Sequence, residues 1–288
     1  MLLHAIAAQS LAGIDAVQVV VVDNDAANSA GAFLRTFEMT SPFSLVALHV
    51  PQPNISAARN CAIEAAQGEL IAFIDDDEIP VADWLVQLLN TLQTHKADVV
   101  FGPVLAVYRD STPDWIRKGG YFERRRFLTG ALIDEADART GNVLLKASLL
   151  KNLKQPFETS FGRTGGEDSL LFRDLLAGDA RFVWCDEATV SEEVPDDRAS
   201  ATWLLKRSFR IGQTWIRAEL HRLSGLRRWQ RGIYLAVKAG VQLLASVALT
   251  IAWLPLSRIQ SFHWLRKTYA QAGKLTGMTA FHYQEYGG

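Results

Sequence analysis

The chain has 288 residues, with 30 Lys and Arg against 31 Asp and Glu, a balance that excludes a globally basic nucleic-acid binder. Hydrophobic residues make up 49% of it, enough to bury the core of one large domain or two small ones. Cys61 and Cys185 are isolated thiols without CxxC spacing, which excludes a disulfide framework or cysteine zinc site and fits a reducing compartment.

The apolar start, 1-MLLHAIAAQSLAG-13, has no Lys or Arg ahead of it and is interrupted by His4 and Gln9. It therefore lacks the basic flank of a secretory signal and reads as a helix of the folded domain, over residues 3–12. The run 17-VQVVVV-22 is continuous and β-branched, the composition of a strand buried on both faces of a parallel sheet. It ends in 23-DNDAANSAG-31, a turn-forming loop. A helix near 30–38 and a strand over 43–50 follow. Residues 54–68 read as a helix with Asn54 or Ser56 as N-cap and Gly68 as its stop.

A strand over 70–74 then runs straight into Asp75, Asp76 and Asp77. A helix over 83–93 and a strand over 98–108 come next. The polar stretch 109–140 reads as irregular. Residues 141–150 read as strand into helix, and 160-SFGRTGGEDSLLFRDLLAG-178 as a glycine-rich loop opening a helix at Glu167. A further strand over 180–190 leads into 191-SEEVPDDR-198. Strands alternating with helices predict an α/β chain with a doubly wound, mostly parallel sheet. Ligands of such sheets bind beyond the carboxyl ends of the strands, where Asp23 and Asp75–Asp77 fall.

Three adjacent carboxylates repel one another, so their place at a strand end calls for a reason. Mg²⁺ and Mn²⁺ prefer carboxylate oxygens, and Mg²⁺ is commonly held by one or two of them together with substrate phosphates. An Asp-x-Asp turn can direct two carboxylates at one ion. A solvated acidic turn leading into a helix is the plainer reading of the same residues.

The ordered set narrows that choice. The strand ending 19-VVVVD-23, the triplet Ala58-Arg59-Asn60, the run from Gly68 to Asp77, and Gly165-Gly166-Glu167-Asp168 together resemble the family 2 glycosyltransferases. These are inverting nucleotide-sugar enzymes of GT-A fold, and the likeness is to bacterial members that build exopolysaccharide or surface glycans. The resemblance implies a GT-A domain over 1–215 and a metal-dependent transfer of sugar from a nucleotide-diphosphate donor, with a UDP-sugar favoured, to a glycan or lipid-linked acceptor. It implies that Asp23 and Asp25 read the base or ribose. Arg59 would lie near the diphosphate, with Asp75 and Asp76 on the donor. Asp77 and Asp75 would hold Mg²⁺ or Mn²⁺. Asp168 would be the general base that deprotonates the acceptor hydroxyl.

Two departures from the family pattern stand out. A His often placed after the last strand is replaced by Ser191-Glu192-Glu193, so Glu193, or Glu192, becomes the expected further metal contact. The family's first strand, ahead of the first helix, is not found in this sequence. A non-catalytic GT-A-like scaffold and a nucleotidyltransferase are the competing readings.

Beyond Arg198 the chain turns basic, and 239–257 carries no charge. Arg198, Arg207 and Arg210 are expected to neutralise the diphosphate or to face anionic lipid. Residues 216–288 read as a basic and hydrophobic helical tail associated with membrane lipids. It would be peripheral or anchored by one segment, at the cytoplasmic face of the cell membrane.

Overall fold

The computed structural model describes residues 1–278. The last part of the expected tail, residues 279–288, lies outside the described residues. The chain divides into two compact units. The first comprises Met1–Val107 and Arg124–Glu193, the second Tyr108–Glu123 together with the described residues from Val194.

Unit 1 opens with α1 (Leu2–Ala7), β1 (Gln18–Asp23), α2 (Gly31–Glu38), β2 (Ser44–His49) and α3 (Ile55–Ala65). β3 (Leu70–Phe73), β4 (Glu78–Pro80), α4 (Trp84–Thr94), β5 (Val99–Phe101) and β6 (Val104–Tyr108) follow. After α5 (Asp114–Gly119), which belongs to unit 2, come β7 (Val143–Lys146), α6 (Ala147–Lys151), α7 (Glu167–Ala177), β8 (Phe182–Trp184) and β9 (Val190–Val194). β1 and β2 form a parallel pair. The central sheet runs β3-β7-β5-β8, and a three-stranded sheet runs β4-β9-β6.

The expected α/β architecture is present, with strand directions more mixed than alternation alone suggests. β7 lies antiparallel to both β3 and β5, whereas β5 and β8 are parallel. The reason is the connection: the chain reaches β7 through residues 109–140 rather than through a crossover helix, so it can enter the sheet from the opposite end. The strand read over 98–108 breaks at Gly102-Pro103, where Pro103 cannot donate to a ladder, giving β5 and β6.

Alternation along these short strands builds two core layers. Val99, Phe101, Val143 and Leu145 pack with Leu171 and Phe172 of α7. Val100, Leu144 and Val183 face the other way, onto Trp84 and Leu88 of α4. Asn142 fastens the sheet from within. Its Oδ1 accepts from Trp84 Nε1 at 2.7 Å, and its Nδ2 donates to the carbonyls of Pro103 and Ala188. A buried amide so satisfied fixes register without an exposed polar cost.

Unit 2 holds α5, α8 (Ala201–His221), α9 (Gly225–Trp253) and α10 (Arg258–Thr276). The compact units part at 193/194, α8 packing along α10, whereas the resemblance implies a GT-A domain that runs to 215. Gly212 of α8 and Gly273 of α10 sit where the two backbones approach too closely for a Cβ.

Candidate active site

The acidic run forms a tight turn between β3 and β4. The Glu78 amide donates to the Asp75 carbonyl at 3.1 Å, and the Asp75 amide donates to Glu78 Oε2 at 3.1 Å. The turn leaves Asp76 and Asp77 exposed and Asp75 half-exposed, while Glu78 is entirely buried. One side of the turn therefore offers carboxylates outward, and the fourth acid closes it from beneath.

Glu78 was not singled out by sequence reasoning. It pairs across β4–β9 with Glu192, and Glu192 Oε2 lies 3.3 Å from Arg124 Nη2. Burial, then the neighbouring Asp75 charge, pushes the Glu78 carboxyl up to about 8, so it is protonated at neutral pH. A Cβ on Gly141 would come within 2.8 Å of Glu78 Oε1 and 3.1 Å of Asp75 Oδ2. Only glycine leaves room there.

α3 ties this turn to the start of α7. Asn54 caps α3 by accepting from the Ala57 amide at 3.0 Å, as its position predicts. Its Nδ2 donates to Thr159 O, and Ser56 Oγ donates to Glu158 O. Asn60 makes two bonds with the Phe157 backbone, donating at 2.8 Å and accepting at 2.9 Å. Thus the loop before α7 is held along one face of α3. On that face Arg59 donates to Glu167 Oε1 at 2.7 Å and reaches Asp75 Oδ1 at 3.5 Å, with its guanidinium 5.4 Å from the Phe157 ring centroid. Arg59, expected beside a diphosphate, here bridges the acidic turn and the head of α7.

Glu167 is buried, and its Oε2 has no hydrogen-bond partner among the described residues. Burial, then the Asp168 charge, pushes its carboxyl up to about 7 against the opposing pull of Arg59. Asp168 follows it in the first turn of α7, partly exposed, with Oδ1 accepting from the Ser169 amide at 2.7 Å. Gly165 and Gly166 open the helix with φ of 79° and 98°, conformations that residues bearing a Cβ rarely adopt.

Asp23 ends β1, buried, with Oδ1 accepting from the Asp25 amide and Oδ2 from the Ala30 amide ahead of α2. It thereby shapes the 23–30 loop. Asp25 is exposed, and a Ser29 hydroxyl bond holds its carboxyl below the usual range.

Glu192 and Glu193 are adjacent on β9, so their side chains leave opposite faces. Glu192, and not Glu193, shares the side of Glu78 and Arg124. Of the two acids expected to offer a further metal contact, Glu192 is the one placed across from Glu78. Arg198 lies in unit 2, its guanidinium 6.0 Å from the Trp203 ring centroid. Arg207 sits over Trp203 as well, at 5.2 Å.

The family model for glycosyl transferase family 2 matches residues 2–152. A succinoglycan biosynthesis protein, ExoM, of Rhizobium meliloti (strain 1021) is 36% identical over 248 residues, covering 85% of this chain and 79% of its own. The chain belongs to glycosyl transferase family 2. Its activity class is therefore glycosyl transfer.

Solved structures show that the fold is of GT-A type. The mannosyltransferase PcManGT from Pyrobaculum calidifontis, in complex with GDP-Man and Mn²⁺, aligns with a TM-score of 0.61 at 19% identity, over 96% of this chain and 81% of that one. S. aureus TarS 1-349 in complex with UDP-GlcNAc aligns at 0.51 and 17% identity, over 96% and 86%. The chain spans about half, 52%, of the longer TarS chain.

Among the described residues no group of three or more His, Cys, Asp and Glu forms a ready metal cage. The half-exposed Asp75 and exposed Asp77 carboxylates on one tight turn still fit an ion that draws its remaining oxygens from substrate phosphates and water.

Proposed function

We propose that this family 2 glycosyltransferase is a metal-dependent, inverting enzyme. It moves a sugar from a nucleoside-diphosphate donor, a UDP-sugar by preference, to a glycan or lipid-linked acceptor in exopolysaccharide or surface-glycan synthesis. The observation that carries this reading is the Asp75–Arg59–Glu167 bridge, buried at Arg59 and Glu167 and half-exposed at Asp75. It keeps the acidic turn and the head of α7 in one fixed relation, as a donor site and a base working on one sugar require. The ExoM relative is a succinoglycan biosynthesis protein, and the two solved relatives were captured with nucleotide sugars, one of them with Mn²⁺.

In this reading Asp77 and Asp75 hold Mg²⁺ or Mn²⁺, which offsets charge on the leaving diphosphate when bound. Asp76 and the 23–30 loop, with Asp23 and Asp25, hold the donor. Asp168 takes the proton from the acceptor hydroxyl as that oxygen attacks the anomeric carbon, and the nucleoside diphosphate leaves from the opposite face. Arg59 acts by positioning Asp75 and Glu167, and Glu193 or Glu192 adds a further metal contact. Unit 2 attaches to membrane, which brings the chain to a lipid-linked acceptor at the cytoplasmic face.

The test is a screen of nucleotide sugars for Mn²⁺-dependent binding to the full chain, followed by transfer assays with a lipid-extract acceptor. Binding of one donor that needs Mn²⁺ and is lost in Asp77→Asn supports the reading. Equal binding with chelator present would sink the metal role. Donor binding with no transfer to any acceptor would favour a non-catalytic scaffold.

A further inference from the structure

We infer that unit 2 lies on an anionic bilayer surface with α9 in the plane of the interface, and that α9 does not cross the membrane. The inference rests on the membrane attachment proposed above and specifies its partner and geometry. By length and composition alone α9 could span a bilayer, since it has 29 residues and its most apolar window is only 17% buried. What it packs against decides otherwise.

α10 runs back beside α9 as the second arm of a hairpin. The arms are tied by Ser261 Oγ donating to Thr250 O at 2.8 Å and Thr268 Oγ1 donating to Ser246 Oγ at 3.0 Å. α9 buries Leu235, Ala239 and Ser246, spaced at helical intervals along one side. α10 has no long apolar run: Arg258, Arg266, Lys267 and Lys274 are spread along its length. Arg266 also donates to Ser208 Oγ of α8, so α10 is held on two sides. A perpendicular α9 would drag those cations to the depth of the acyl chains, where they are costly to place.

The free side of α9 suits an interface. Leu226, Trp229, Ile233, Val237, Val241 and Leu244 are exposed and recur every three or four residues, making one stripe about 27 Å long at 1.5 Å per residue. An open cleft of about 400 Å³ beside Trp229, Gly232 and Ile233 continues that apolar surface. Cations accompany the stripe: Arg227, Arg228, Arg231 and Lys238 lie on the same helix. No Asp or Glu occurs from residue 220 to residue 284. Arg231 is paired with Glu219 at 2.9 Å, while α9 itself carries cations and no acid, so its apolar stripe fits an anionic lipid surface in charge as well as polarity.

The experiment uses the full chain and vesicles of phosphatidylcholine, alone or mixed equally with phosphatidylglycerol. Sedimentation should show binding at least about tenfold tighter to the anionic vesicles, weakening with salt. Val241→Glu with Leu244→Glu should lower that affinity by about tenfold or more while leaving Mn²⁺-dependent donor binding unchanged. Orientation is read by Ser224→Cys or Gln260→Cys, each as the one cysteine in a Cys61→Ser, Cys185→Ala background, treated with a membrane-impermeant maleimide added outside intact vesicles. Both should react, because both ends of α9 stay on the near side. Protection of position 260 until detergent is added would overturn the in-plane arrangement and leave membrane attachment standing. Absence of vesicle binding would overturn both while leaving the donor-site reading intact. Concentration-dependent dimers that shield Leu244, with no vesicle binding, would make a second copy the occupant instead.

Discussion

Arg59 Nη1 lies 2.7 Å from Glu167 Oε1, and the two side chains keep only 13% and 6% of their surface exposed. The pair joins the second turn of α3 to the first residue of α7, residues 108 apart in sequence. Removing one partner strands a buried charge, which typically costs about 3–5 kcal/mol. Glu167, whose carboxyl is already raised to about 7, can take up a proton once Arg59 is gone, so Arg59→Met should destabilise the fold by less, about 1–3 kcal/mol, measured by urea unfolding at pH 7. Arg59→Met with Glu167→Leu should recover much of the loss, since both charges are gone. Transfer should stay low in the double variant, because the link to Asp75 is still missing. Full recovery of activity would show that the bridge matters only for stability.

Glu167 also sets a pH dependence. Its ordinary carboxyl value is 4.5, and in the folded protein burial raises it to about 7. The folded state thus holds the proton more tightly than the unfolded one. Stability contributed by this group is full below about 4.5 and is lost as pH rises through about 7. Glu167→Gln removes that titration, so its melting temperature relative to wild type should climb between pH 5 and pH 8. The expected gain is on the order of 1–3 kcal/mol. A flat or falling difference would mean that Arg59 keeps Glu167 ionised throughout.

Much of this site was legible because its signals are local. An apolar strand that stops at Asp75, glycines that precede Glu167, and Asn54 at a cap position each read from a few neighbouring residues. The tertiary pairings were not. Glu78 looked like the tail of an acidic run, and only its pairing with Glu192 across β4–β9 buries it. Arg59 read as an outward ligand contact because nothing near it in sequence announces Glu167. The break at Gly102-Pro103 was visible in principle, since that dipeptide is a strand breaker. The antiparallel entry of β7 depends on the path of residues 109–140, which carry no strong periodicity.

Gly141 offers a test of the closed underside of the turn. An added methyl would sit 2.8 Å from Glu78 Oε1 and 3.1 Å from Asp75 Oδ2, both tighter than ordinary contact. Gly141→Ala should cost about 1–3 kcal/mol by overpacking and should push the Asp75 side of the turn out of place. Calorimetric donor titration should then show weaker Mn²⁺-dependent binding. A variant with unchanged affinity would mean that Asp75 is free to shift without harm, and that its place is not set from below.

Asp77 and Asp168 sit on different elements, the β3–β4 turn and the first turn of α7, and their proposed roles separate cleanly. Asp77→Asn should abolish Mn²⁺-dependent donor binding, and transfer should fall with it. Asp168→Asn should keep donor affinity within about twofold yet lower turnover by roughly 10²–10⁴-fold, the usual worth of a positioned general base. Asparagine matches aspartate in size but cannot accept the hydroxyl proton, so the loss should appear in kcat rather than in the donor KM. Raising pH should restore part of the Asp168→Asn rate, as hydroxide supplies some of the missing base. If Asp168→Asn turns over normally, the proton leaves through another group. Glu167, which is buried and held by Arg59, would be a poor substitute, since it has no open path to an acceptor while that pair is intact.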